Sequence, residues 1–282
     1  MSLHTKISWK IKGKTLVLEK PAIMGIVNVT PDSFYDGGRY EETEKAVEKA
    51  LSLVEEGADV IDIGGESTRP GSQPVTEEEE KRRVLPVIEK LAPKTTVPIS
   101  CDTYKSSVAR AALHSGASII NDISAFRFDP DSLQVVKEQE AGVVLMHMSG
   151  TPSTMQQSPF YQDVISEIKL FLKENFEKLV KAGIKPESIV LDPGIGFGKR
   201  VQDNLRILRN ASAFQIGGRP VLIGASRKSF IGAISNVPPE QRLPGSLAAV
   251  LMALESGAFI FRVHDVKETR LALEVAWAIL NS

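Results

Sequence analysis

The sequence predicts an α/β fold, a single (β/α)8 TIM barrel preceded by an N-terminal β-hairpin. Three observations carry that expectation. About eight short apolar runs recur along the chain, and each is followed by a stretch of helical periodicity. An alternating segment around Lys12-Gly13-Lys14 precedes the first of them. The chain has 282 residues, where a barrel typically needs ~250. No linker-like or low-complexity stretch divides it, so one domain is expected, with residues 1–20 as hairpin and 21–282 as barrel. An open doubly wound sheet shares the strand–helix alternation. Eight regular units behind a hairpin favour closure.

In order, Ile7 to Glu19 reads as the hairpin, a plug over one end of a barrel. Ala22 to Val29 is a buried strand, and Thr43 to Glu56 an amphipathic helix stopped by Gly57. Val60 to Ile63 is a strand, and Thr76 with Glu79 has the spacing of a capping box. Val97 to Asp102 precedes a helix from Lys105 to His114, and Ser118 to Ile123 precedes one from Asp131 to Glu138. Val143 to Met148 leads through a loop to a long helix, Gln162 to Lys181. Ile189 to Asp192 ends in Pro193 and the glycines 194, 196 and 198, then a helix from Asp203 to Asn210. Pro220 to Ser226 gives a loop, Arg227 to Phe230, and a helix beginning near Gly245. Ala258 to His264 precedes the last helix, Val266 to Leu280.

The composition, 42% hydrophobic and 24% charged, is that of an ordinary globule. A net charge of −1 gives no general attraction to nucleic acid or to a membrane surface, so any anion site must be a local concentration of basic groups. The one cysteine, Cys101, excludes an internal disulfide and a multi-cysteine metal site. With no charged-then-apolar leader and no run long enough to cross a bilayer, a cytoplasmic location is expected.

Barrel active sites lie at the C-terminal ends of the strands. Here those ends carry Asn28, Asp62, Asp102, Asn121 with Asp122, His147, Asp192, Lys228 just past its strand, and Arg262 with His264. Each acid has a second reading as a helix cap, and Asp62, Asp122 and His147 read equally well as structural supports. Together, Asp102, Asn121, Asp192 and Lys228 suit a flat heterocycle with an amidine edge and a carbonyl, because a carboxylate accepts two N–H bonds from a 2-amino-pyrimidinone. Separately, Asn28, Arg262 and His264 come from the first and last strands and suit an anion or phosphate. The glycine spacing after Asp192 is neither G-x-G-x-x-G nor a Walker A. Two loops, Thr30 to Gly38 with Phe34 and Glu66 to Gly71 with Thr68-Arg69-Pro70, read either as covers that exclude water or as plain connections.

The stretches Asn28 to Phe34, Asp62 to Gly71, Asn121 to Ile123, Met146 to Gly150, Leu191 to Lys199, Ser226 to Ser229 and Arg262 to Val266 resemble, in order, the motif series of the dihydropteroate synthases. The resemblance runs from the first strand to the last. It implies a transferase of folate biosynthesis that condenses 6-hydroxymethyl-7,8-dihydropterin diphosphate with 4-aminobenzoate. It also implies that Asp102, Asn121, Met146, Asp192 and Lys228 hold the pterin, and that Asn28, Arg262 and His264 hold the diphosphate, with Mg²⁺ at Asn28. Phe34, Thr68, Arg69, Pro70, Phe197, Lys228 and Ser229 are then the aminobenzoate side, where sulfonamides compete in this family. Asp102, Lys228, Arg262 and His264 are the implied catalytic set, and a homodimer packed through the last helices the implied assembly. A pterin-binding methyltransferase domain would share the barrel but not need the Ser-Thr-Arg-Pro loop, the Ser-Arg-Lys-Ser loop or a diphosphate site. A non-catalytic pterin-binding paralogue is the alternative of another class. Cys101, beside Asp102, reads as a small buried strand residue rather than a nucleophile.

Overall fold

The computed structural model describes residues 6–30, 39–68 and 71–282. The hairpin is β1 (Ile7–Ile11) and β2 (Lys14–Leu18), paired antiparallel from Ile7–Leu18 to Ile11–Lys14. Eight parallel strands follow: β3 (Ala22–Asn28), β4 (Val60–Gly64), β5 (Ile99–Asp102), β6 (Ile119–Asp122), β7 (Gly142–Met146), β8 (Ile189–Asp192), β9 (Leu222–Ile223) and β10 (Ile260–Val263). They pair in the order β8-β7-β6-β5-β4-β3-β10-β9. A parallel bridge between Leu191 and Val221 joins β8 to β9 and closes the ring. Closure, rather than an open doubly wound sheet, is therefore the outcome.

The helices are α1 (Arg39–Glu55), α2 (Glu77–Leu91), α3 (Ser106–Ser115), α4 (Asp131–Glu138), α5 (Val164–Lys181), α6 (Val201–Arg209), α7 (Ser229–Ser235), α8 (Leu243–Glu255) and α9 (Val266–Leu280). Thr76 caps α2, its hydroxyl accepting from the Glu79 N–H at 3.2 Å. The stretch expected as a loop from Arg227 is instead broken by α7, two turns that end at Asn236 in the left-handed conformation. Its composition, Ser-Phe-Ile-Gly-Ala-Ile-Ser, has too short an amphipathic period to stand out, and burial of Phe230 and Ile231 makes the helix.

Period-two alternation sorts the strand residues into two sets. Ile23, Ile61, Ile63, Cys101, Ile120, Val143, Leu145, Leu191, Ile223 and Phe261 face outward and pack under the helices. Met24, Val60, Ile119, Val144, Val190, Leu222 and Ile260 face inward and form one apolar layer with Trp9, Ile11 and Leu18 of the hairpin. The hairpin is thus the plug of the N-terminal end. Trp9 is fully buried there, with its indole N–H donating to Ser188 O at 2.9 Å. Arg219 ties the same edge by donating to Ser8 O (2.7 Å) and Ile189 O (3.1 Å).

Because Trp9 fills the barrel floor, Trp9→Ala is expected to cost about 3–5 kcal/mol of stability. Urea unfolding should show a lower midpoint with an unchanged slope. A loss below about 1 kcal/mol would mean that the floor is not integral to the barrel.

Candidate active site

Two residues beyond the apolar layer, the inward positions turn polar. Asp62, Asn121, Asp192 and Arg262 follow Val60, Ile119, Val190 and Ile260 by one inward step on their strands, Asp102 likewise follows buried Ser100, and Met146, which stays apolar, follows Val144. The register carries Asp102 opposite both Gly64 and Asn121, and Met146 opposite Asp192. Of the strand-end residues expected at one mouth, Asp62, Asp102, Asn121, Asp192 and Arg262 share the inward side, whereas Asp122 and His147 alternate to the outward one.

Arg262 lies at the centre of the acids. Its Nε is 2.6 Å from Asp62 Oδ2 and its Nη2 is 2.8 Å from Asp102 Oδ2. Asn121 Nδ2 donates to the same Asp62 oxygen at 3.1 Å. Arg262, expected in an anion group with Asn28 and His264, is thus also paired with two of the acids. Burial works against its charge, but Asp62 and Asp102 together raise its pKa. Burial pushes Asp102 up, to about 7, with Arg262 pulling the other way and Asp62 and Glu80 adding repulsion. Of the two readings of Asp62, the structure supports an ionic support of Arg262 and Asn121. Asp122 is a turn acceptor, taking N–H bonds from Ser124 (2.6 Å) and Phe126 (3.2 Å). Cys101 faces the helices, fully buried, and burial drives its thiol well up.

On the other side, Asp192 Oδ1 accepts the Gly194 N–H at 2.6 Å, and the loop 193–199 turns back over the strand end. Gly194 has φ +72°, and a side chain there would run into the His147 carbonyl. Gly196, at φ +80°, leaves room for the Lys228 stem. Lys228 Nζ donates to Ile195 O and stands 4.4 Å from the Phe197 ring centroid. Burial lowers its pKa to about 7 against the attraction of Asp192, while burial raises Asp192 against Lys228. Met146 is buried with Met148, Met155 and Ile123, and Tyr104, Phe128 and Phe197 pack on them. A flat ring fits such a soft, polarizable wall.

Asn28 ends β3 and lies beside β4 and β10. His264 Nδ1 is 3.1 Å from Ser226 Oγ, which also accepts the His264 N–H at 3.2 Å. Arg227, at φ +56°, is held by Asp265 through Nε at 2.9 Å, so that carboxylate secures the 226–229 turn. Lys228 is the N-cap of α7 and Ser229 its exposed first residue. Thr68 is half-buried on the segment after β4. Phe34, Arg69 and Pro70 lie outside the described residues. No group of three or more His, Cys, Asp or Glu that could hold a metal occurs among the described residues.

Two features escaped the sequence reading. Lys199 is almost fully buried, 2.9 Å from His147 Nδ1 and donating to Phe197 O at 3.0 Å. Lys105 is buried with Glu66 and Glu80. Burial, and then the Lys199 charge, drive the His147 pKa well below its ordinary value. Below about pH 6.5 the unfolded chain protonates this imidazole while the folded chain resists, so stability falls with pH in that range. Between about pH 7.5 and about pH 5.5, the melting temperature of His147→Gln should fall about 1–3 °C less than that of the wild type. Equal falls would mean that the ring takes up its proton in place.

The profile of the family described as pterin binding enzyme matches residues 24–264. The dihydropteroate synthase of Escherichia coli (strain K12) is 46% identical over 271 residues, covering 96% of each chain. Among solved structures, Xanthomonas albilineans dihydropteroate synthase with 4-aminobenzoic acid superposes with a TM-score of 0.92 at 47% identity, over 99% of this chain and 100% of that one. The Burkholderia cenocepacia dihydropteroate synthase complexed with 7,8-dihydropteroate gives 0.88 at 43% identity, over 98% and 97%. A barrel mouth lined by Asp102, Asn121, Asp192 and Lys228, with similarity to these relatives along nearly its whole length, makes this chain a member of the pterin-binding enzyme family, among its dihydropteroate synthases.

Proposed function

We propose that this mouth condenses 6-hydroxymethyl-7,8-dihydropterin diphosphate with 4-aminobenzoate by diphosphate departure followed by amine attack. The observation that supports the order of events is the Asp102–Arg262 contact, which joins a carboxylate suited to a cation with a guanidinium suited to an anion. The pterin lies against Met146, its amidine edge on Asp192 and Asn121 and its carbonyl on Lys228. As the C–O bond breaks, the leaving diphosphate gathers charge, and the guanidinium edge of Arg262 not used by the acids offsets it together with His264. The pterin methylene cation that remains is stabilised by Asp102. The amine of 4-aminobenzoate, held between Phe197, Lys228, Ser229 and Thr68, attacks it and then loses a proton to solvent or to the diphosphate. Phe34, Arg69 and Pro70 complete the aminobenzoate side on this reading.

Asn28 would hold Mg²⁺. Its amide oxygen is a hard donor of the kind Mg²⁺ takes, with substrate phosphates and waters able to fill the other positions. When bound, the ion supplies further neutralisation of the leaving group. We place the enzyme in the cytoplasm, where its one buried thiol is at ease; no helix among the described residues is long and apolar enough to cross a membrane.

We also propose a homodimer through α8 and α9. Met252 of α8 and Leu271, Val275 and Ile279 of α9, spaced four apart, are each more than half exposed. Sedimentation at micromolar concentration should give twice the chain mass, and Val275→Asp a single chain. A monomeric wild type would refute the dimer.

Diphosphate release by the purified protein with the pterin substrate and Mg²⁺ should require 4-aminobenzoate and yield 7,8-dihydropteroate. Pterin binding without release would turn the reading to a binding protein. Asp102→Asn should lower kcat about 100-fold or more while weakening pterin binding less than about 10-fold. Equal losses in both would remove the electrostatic role.

A further inference from the structure

A second buried ionic cluster stands beside the acid layer, and the reaction as described does not use it. Lys105 Nζ lies 2.5 Å from Glu66 Oε2 and 2.5 Å from Glu80 Oε2, with 10%, 7% and 1% of the three side chains exposed. Glu66 has two more partners: Tyr104 donates its hydroxyl to Oε1 at 2.9 Å, and the Val75 N–H donates to Oε2 at 3.2 Å. Glu66 sits two residues past the end of β4, and Val75 one residue before the cap of α2. One carboxylate therefore holds both ends of the segment that bears Thr68. Within that segment Ser72 donates to Ser67 O at 2.5 Å, and the Gly71 N–H donates to Pro152 O at 3.2 Å.

Fold stability accounts poorly for this cluster. Two carboxylates share one ammonium, and both are buried. Burial accordingly raises the Glu80 pKa, against its bond from Lys105. Replacing such a cluster by apolar side chains is commonly neutral or stabilising, so its presence points to a geometric task. Tyr104 names the task. Its ring meets Phe128 edge-on at 5.4 Å, and both pack on the methionine wall of the pterin side. The clamp is thus built on the same surface that the pterin contacts.

We propose that Glu66, clamped by Lys105 and Tyr104, is a positioning residue that sets the Thr68 segment for 4-aminobenzoate relative to the bound pterin. This rests on the functional reading above. Glu66 touches no reacting atom, and its effect falls on one substrate only.

The test is steady-state kinetics of the full chain with Glu66→Gln. That variant keeps the side-chain size and a carbonyl acceptor, and leaves Lys105 and Glu80 as a one-to-one pair, so the fold is expected to hold. The KM for 4-aminobenzoate should rise about 10-fold, equivalent to ~1.4 kcal/mol, while the pterin dissociation constant moves less than about 3-fold. Tyr104→Phe should shift the same KM in the same direction by a smaller factor, and it carries the test should Glu66→Gln fail to fold. An unmoved aminobenzoate KM, or equal losses for both substrates, with an active wild type would overturn the positioning role alone. A wild type without aminobenzoate-dependent release would bring down the functional reading and this proposal with it.

Discussion

One guanidinium lets the strands of this barrel end in acids that face each other. Asp62 and Asp102 project from neighbouring strands into one lumen, where two carboxylates a few ångströms apart repel by several kcal/mol at the effective dielectric of a protein. Arg262 answers with a different nitrogen to each, Nε to Asp62 and Nη2 to Asp102. A lysine ammonium, a point donor on a flexible stem, would not fix both in one plane. Taking the guanidinium away would leave two buried anions uncompensated, a change that costs about 3–5 kcal/mol in proteins generally. The acid arrangement depends on this contact, and the bond from Asn121 falls on the same Asp62 oxygen.

That contact is possible because the other half of the lumen is dry. The hairpin brings Trp9, Ile11 and Leu18 against the inward strand residues, and those side chains close the barrel below the acids. Water then reaches the ionic layer from one end only, and the low polarity beneath it strengthens every charge interaction above. The floor and the mouth are consecutive inward steps of the same strands, so a one-residue slip in register would exchange both for outward-facing positions.

Most of this was legible in the chain itself. Each apolar run is a strand of the barrel, and the inward residue near its end faces the lumen because alternation and parallel closure leave it few directions, whereas Asp122 and His147, one position on, turn outward. Asn28, Asp102, Asn121, Asp192 and Lys228 were found that way. What was hidden depends on contacts between residues distant in sequence. Nothing near Asp62 says that its partner lies 200 positions away at Arg262. Lys199 reads as a solvated charge after a glycine loop, since lysine is seldom buried, yet the fold places it against His147. Glu66 reads as part of a loop motif, and only the packing of α2 and the turn after β5 reveals the carboxylate clamp. The helix α7 escaped because tertiary burial of two residues, not local period, holds it.

Burial acts on the two kinds of charge in this mouth with opposite sign, and that has a consequence for binding. It raises Asp102 and Asp192 and lowers Lys228, so all three are moved toward neutrality in the free protein. On the reading that the pterin presents N–H groups to Asp192 and a carbonyl to Lys228, the ligand favours the ionised form of each. Binding then releases a proton from the carboxylate side and takes one up on the lysine side. The two exchanges have opposite sign, and the one at Lys228 falls around pH 7. An acid layer held by one arginine, with a lysine opposite, thus meets a neutral, two-edged heterocycle with proton exchanges of opposite sign, whereas a layer of acids alone could only lose protons to receive it.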